Sequence, residues 1–260
     1  MNTVSYLLPV LFSTLVCGII GLIVLISRKK DDARYEKIAA IATFMASIST
    51  IVVGIITVKV MMRQEESERL RNQPLYAVHI GQNYSSEKGL YDNEEYVVSN
   101  EGNKTRSKTT VSCESILEIN YDDNNTNKHI TKYLHLNDYF GASVPTGNLE
   151  GTVQYSVYSG NNNELFVKFY KECLAYEGTH PMVYVEVQLK HYFIMEYVDI
   201  YGEKHTVVST KDSEIDEESF STILEQADKE SIGKHLSIKS LDLDEIIETY
   251  FKEELKDAKD

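Results

Sequence analysis

The stretch VYVEVQLKHYFIMEY at residues 183–197 decides the fold class. Val183, Val185, Val187, Leu189, His191, Phe193, Met195 and Tyr197 alternate with Tyr184, Glu186, Gln188, Lys190, Tyr192 and Glu196. Successive side chains of a strand point to opposite faces, so the first set forms one apolar face. The run exceeds an ordinary strand of about five or six residues, which predicts a bulge or bend within it. His191 falls on the apolar face, where a histidine reads as a core residue with satisfied ring nitrogens rather than as a ligand.

The same period of two recurs outward from this stretch. Val111, Cys113, Leu117, Ile119 and Tyr121 share a face if extended, as do Val153, Tyr155 and Val157, and Leu165, Val167 and Phe169. Turn chemistry separates the runs: NEGN at 100–103, DDNN at 122–125, PTGN at 145–148, GNNN at 160–163 and YGE at 201–203. Strands are expected at 75–81, 94–99, 108–121, 129–135, 152–158, 164–170, 182–199 and 205–210. Many short strands with such turns give a mainly antiparallel β-sandwich or small β-barrel over 74–210. The pattern suits both architectures.

Beyond Thr210 the period turns helical. Ile215, Phe220, Ile223, Leu224 and Ala227 suit one amphipathic helix. Leu243, Ile246, Ile247, Tyr250, Phe251 and Leu255 suit a second, with Ser240 or Asp242 as its N-cap. The region 211–260 is therefore an acidic helical segment, expected to pack on the β-domain. Docking to a partner or a second copy is the alternative.

Toward the N-terminus the composition changes. Val4 to Ile26 and Ile38 to Val58 are almost wholly apolar and uncharged. Each has about 20 residues or more, enough to cross a hydrocarbon core of roughly 30 Å as a helix. The first run lacks the basic n-region and the small-residue cleavage pattern of a signal peptide and is too long for one. Residues 1–62 thus read as a two-helix transmembrane hairpin, a multi-pass anchor in the lipid bilayer. Residues 63–73 continue the second helix as a juxtamembrane stalk until Pro74. Small residues recur every fourth position, Ser13, Cys17 and Gly21 in one span and Ala42, Ala46, Thr50 and Gly54 in the other. That spacing places each row on one helix face as a packing seam, within the hairpin or in a homo-oligomer. Neither span holds an ionisable residue, which argues against a proton or ion pump. Orientation is undetermined: five Lys/Arg between Arg28 and Lys37 face four just after the second span, Lys59, Arg63, Arg69 and Arg71.

Charge narrows the function. Residues 1–73 carry +3, residues 74–210 carry −8 and residues 211–260 carry −9, within a net −14. An acidic exterior disfavours binding to DNA. There is no GxSxG, HExxH, Walker loop, GxGxxG or Cys/His cluster. The sequence therefore points to no catalytic residue, no metal and no cofactor. Cys113 and Cys173 read as two buried free thiols, with a disulfide between them as the alternative. Lys104, Arg106 and Lys108 alternate, so an extended segment would turn all three to one side. They are a candidate anion-binding row, for a cyclic nucleotide or oligonucleotide stacked on tyrosines, or else a charged edge that resists aggregation.

Two short-looped membrane helices, a stalk and a β-domain of this size resemble the two-helix membrane effectors of bacterial anti-phage systems that accompany cyclic-nucleotide-producing enzymes, and similar effectors found with retrons. The resemblance lies in architecture and segment order, so no functional residue carries over. It implies a non-enzymatic protein of the bacterial inner (plasma) membrane, with a cytosolic β-domain that senses a nucleotide or partner. Membrane helices would then assemble, disrupt the bilayer and arrest an infected cell. A membrane-anchored binding or scaffold protein, or a subunit of a larger membrane complex, fits the same segments.

Overall fold

The computed structural model describes residues 33–157, 160–231 and 236–256, which fall into two compact units divided at Arg71 and Asn72. The first unit is helix α1 (Ala33–Arg71), 39 residues long. Its apolar part, in the segment Ile41–Arg71, reaches a mean hydropathy of 2.2, so by length and composition it can cross a membrane; it is the one such helix among the described residues. The hydroxyls of Thr43, Ser47, Thr50 and Thr57 each donate to the carbonyl four residues back, at 2.8–2.9 Å. This bonding satisfies polar side chains inside an apolar span. The first apolar run, with Ser13, Cys17 and Gly21, lies outside the described residues.

The second unit holds two antiparallel sheets. One has the strand order β1-β2-β6-β5: Tyr76–Ser85, Leu90–Asn100, Gly151–Ser156 and Ser143–Pro145. The other runs β4-β3-β7-β8-β9: Lys128–His135, Thr110–Asp123, Val183–Val198, Lys204–Ser209 and Glu214–Ile215. No pairing joins the two sheets among the described residues, so the arrangement is sandwich-like rather than one closed sheet.

Strand β7 organises this unit. It pairs with β3 from Thr110↔Glu196 to Asp123↔Val183 without a register shift, so the expected bulge is absent. Its odd-numbered face is covered by two different partners in succession. Phe193 and Met195 pack with Val78, Tyr96, Val98 and Val153 of the first sheet. Val183, Val185 and Val187 pack with Phe169 and Cys173 of α2 (Asn162–Thr179) and with Leu243, Ile246 and Phe251. A strand whose odd-numbered face is covered toward both ends needs no bulge to turn away from solvent.

Helix α2 corrects the strand expected at 164–170. Leu165, Val167 and Phe169 alternate, but Asn162, Phe166, Phe169, Cys173 and Tyr176 are spaced by three and four, and that stripe is the one packed inward. Cys173 on this helix and Cys113 on β3 are both free thiols. Burial pushes the Cys173 thiol up to about 12 and also raises that of Cys113.

On the even-numbered face, Tyr192 packs with Ile116, Val208 and the inward side of α3 (Glu217–Ser231), through Phe220 and Ala227. The last described elements are α4 (Leu243–Ile246), a π-helical turn (Ile247–Phe251) and α5 (Lys252–Lys256). Asp242 is the N-cap, accepting from the Glu245 N–H at 2.9 Å. Lys132 of β4, nearly buried, donates to Glu230 of α3 at 2.9 Å and to Glu254 of α5 at 2.7 Å. Residues 72–260 therefore form one unit in which the C-terminal helices are part of the core.

A chain beginning at Asn72 is expected to be recovered soluble, with a β-rich circular dichroism spectrum. The full chain should stay in the membrane pellet after carbonate extraction at high pH. Release of the full chain without detergent would show that α1 is not a membrane helix.

Candidate functional site

Beside α2, β7 loses its neighbour. Strand β8 pairs with it only from Val198↔Lys204 to Phe193↔Ser209, because Thr210 to Ser213 turn back into β9. The gap opens as a cleft of about 640 Å³ between the β1–β2 hairpin, α2, β7 and that turn. Ile80, Phe166, Val167, Tyr170 and Leu189 give it apolar and aromatic walls.

Its polar floor is assembled from four distant segments. Asn162, at the start of α2, accepts from the Glu94 N–H at 2.8 Å and donates to the carbonyls of Glu94 and Tyr139 at 3.1 and 3.0 Å. That clamp holds the Glu94 backbone, and the Glu94 side chain is 14% exposed. Its Oε1 accepts from Gln82 Nε2 at 2.5 Å and its Oε2 from the Tyr139 hydroxyl at 2.6 Å. His191 Nε2 lies 3.9 Å from the same Oε2, and its Nδ1 is bonded to Ser115 Oγ at 2.9 Å. The rings of Tyr139 and Phe140 sit 4.8 and 4.6 Å from the imidazole.

Burial pulls the His191 pKa down from 6.5 to about 3, so the imidazole is neutral at physiological pH. A base this weak holds a proton poorly at pH 7 and is better suited to hydrogen bonding than to proton transfer. Ser115 is buried behind His191 and bonds the nitrogen turned away from Glu94. The arrangement offers a bound molecule a carboxylate and a neutral ring nitrogen, framed by aromatic rings.

The basic row is placed elsewhere. Lys104, Arg106 and Lys108 are exposed and lie in the irregular connection before β3, which starts at Thr110 rather than at 108. Lys104 pairs with Glu150 at 3.3 Å, and the Lys108 ammonium lies against Gly147. Arg106 points to the β7–β8 turn instead, where a Cβ on Gly202 (φ +93°) would come within 2.8 Å of its guanidinium. Two of the three bases therefore share the 147–150 loop and the third does not.

Asp199, Glu203 and His205 bring their ligand-type atoms within 4.8 Å of one another in that same turn. Asp199 is used up by the turn: it accepts from the N–H groups of Tyr201 and Glu203 at 2.9 and 2.8 Å and bonds His205 Nε2 at 3.1 Å. Burial opposes its ionisation, but these bonds outweigh it and hold the carboxyl below its usual range.

On α1, Ala46, Thr50 and Gly54 are exposed and Ala42 is half-buried. A Cβ on Gly54 would meet no atom within 4 Å.

Of the cleft's polar floor, the sequence singles out His191, and as a core residue rather than a ligand. Glu94, Tyr139 and Asn162 carry no local signal, and the Asn-rich run at 160–163, read as a turn, is where α2 begins. No family model matches this chain, and no curated protein matches it.

Proposed function

We propose that this protein is a membrane-bound, non-enzymatic effector of an anti-phage abortive-infection system. Its β-domain takes a nucleotide or partner signal in the cleft beside α2, and its membrane helices oligomerise and disrupt the bilayer. In this reading residues 4–26 supply a second membrane helix, and the β-domain is cytosolic.

The observation that carries the reading is the cleft itself, in a chain that also holds an apolar helix of membrane length. Its volume is within the ordinary range for ligand sites, roughly 300–1,000 Å³, and its few polar groups converge on one point as such sites do. A buried network of neutral donors around one carboxylate supports binding rather than catalysis. Oligomerisation enters because a single two-helix hairpin with no charged lining encloses no water path; several copies must meet, and small residues let their backbones approach.

Replacing both Ala46 and Gly54 with Leu tests the membrane half. Both positions are open on α1, so the larger side chains fit one helix and leave insertion unchanged. The expected result is normal membrane levels, with detergent-stable oligomers and growth arrest both lost. A double variant that depolarises cells like the wild type overturns the seam. Wild-type protein that never depolarises cells during phage infection overturns the effector reading.

A further inference from the structure

The cleft also exposes a length of sheet edge. Neighbouring residues of a strand turn their backbone N–H and C=O groups to alternate sides. The Val185 N–H faces away from β3, because it donates to Glu177 of α2 at 2.8 Å. Val187, Leu189 and His191 therefore carry their backbone groups on that side too, and all three line the cleft. Glu177 caps the edge at Val185 and β8 ends opposite Phe193. Between them no strand pairs with β7 on that side among the described residues. The interval from Val187 to His191 is about 13 Å at the strand rise of roughly 3.3 Å per residue, enough for a short guest strand.

We propose that the cleft binds an extended peptide segment of a partner protein, which adds to β7 in line with β8 and places a Lys or Arg side chain on Glu94. This rests on the reading of the cleft as the ligand site and names its ligand class. Backbone pairing at an open edge supplies affinity, and pockets for alternate side chains supply selectivity. Every second guest side chain points to the odd-numbered face of the sheet, where Glu94 sits. Among the described residues, the groups in contact with the Glu94 carboxylate, Gln82, Tyr139 and His191, are uncharged, so a cation is the group it lacks. Of the two lysines that line the cleft, Lys190 is tied to Glu118 at 2.6 Å and Lys211 lies in the 210–213 turn beside Asp212, and the domain carries a net negative charge.

The test uses the full chain in lipid nanodiscs and a synthetic library of ten-residue peptides that alternate valine with randomised positions. The best binder is expected to require Lys or Arg at one position. It is then remade with N-methyl groups on alternate amides, in both registers. One register should lose at least tenfold in affinity and the other should stay within about twofold, since only one set of amides faces β7. Leu189→Pro should also lose at least tenfold, because it deletes an N–H that faces the cleft and not β3. Glu94→Gln should abolish the preference for Lys or Arg. Equal binding of the two methylated forms overturns the proposal, and that comparison needs no protein variant to fold. In a second arm, cyclic dinucleotides are added to the same nanodiscs. A melting shift that Glu94→Gln removes, with no library peptide bound, keeps the cleft as the ligand site and overturns the peptide. No Glu94-dependent binding in either arm overturns both.

Discussion

Phe193→Ala is expected to destabilise the β-domain by about 3–5 kcal/mol, the cost of removing a fully enclosed aromatic side chain. Phe193 is wholly buried where the two sheets meet, paired across the ladder with Cys113 on one side and Ser209 on the other. Its ring sits 4.9 Å from that of Tyr96 and 6.3 Å from that of Phe140. Strands on both sides hold the β7 backbone, so the site collapses little and most of the cavity persists. A loss of this size is a large share of the roughly 5–15 kcal/mol that keeps a domain folded. Tyr184→Ala is the control: it lies on the same strand but on the open face, 52% exposed, and should change stability by less than about 0.5 kcal/mol. Urea denaturation of residues 72–260, followed by circular dichroism, measures both. Equal effects of the two variants would mean that the sheets do not share this core.

The contrast between these two positions was legible before any coordinates, because a period of two states which face of β7 is apolar. What alternation left open is what covers that face. Val183 to Val187 and Phe193 to Met195 look alike in sequence, yet a helix covers the first and a second sheet the second. Helix α2 was hidden because Leu165, Val167 and Phe169 satisfy a short strand pattern as well as a helical one. Only the longer stripe from Asn162 to Tyr176 separates the two, and the asparagines before it carry turn chemistry. The cleft was less legible still. Glu94 and Tyr139 are an acid and an aromatic among many, and their roles come from Asn162, which ties both to the start of a helix 68 and 23 residues further along the chain. The basic row was open in the opposite way: the spacing of Lys104, Arg106 and Lys108 puts them on one side only in an extended segment, and that connection is irregular.

The pH dependence of stability should carry the signature of His191. Its ring is 8% exposed, and burial lowers its pKa from 6.5 to about 3. Between those values the unfolded chain takes up a proton that the folded chain refuses. The contribution is therefore complete above pH 6.5 and falls as the pH drops through that window toward 3. Each unit costs about 1.4 kcal/mol, so acidification to pH 5 should remove about 2 kcal/mol through this one residue. His191→Asn keeps a polar atom near Ser115 and has no proton to gain. Carboxylates elsewhere titrate in both proteins, so the informative quantity is the difference between the two urea stabilities at pH 7 and at pH 5. That difference should shift by about 2 kcal/mol in favour of the variant on acidification. Among the described residues, the carboxylate facing the ring is that of Glu94, 3.9 Å from Nε2, with the Tyr139 phenol ring beside it. If its carboxylate accepted a protonated His191 as a buried ion pair, the refusal would vanish and the two proteins would lose stability in parallel. Parallel curves would thus mean that the floor of the cleft charges in acid, and that His191 is a proton-binding group rather than a neutral wall of the site.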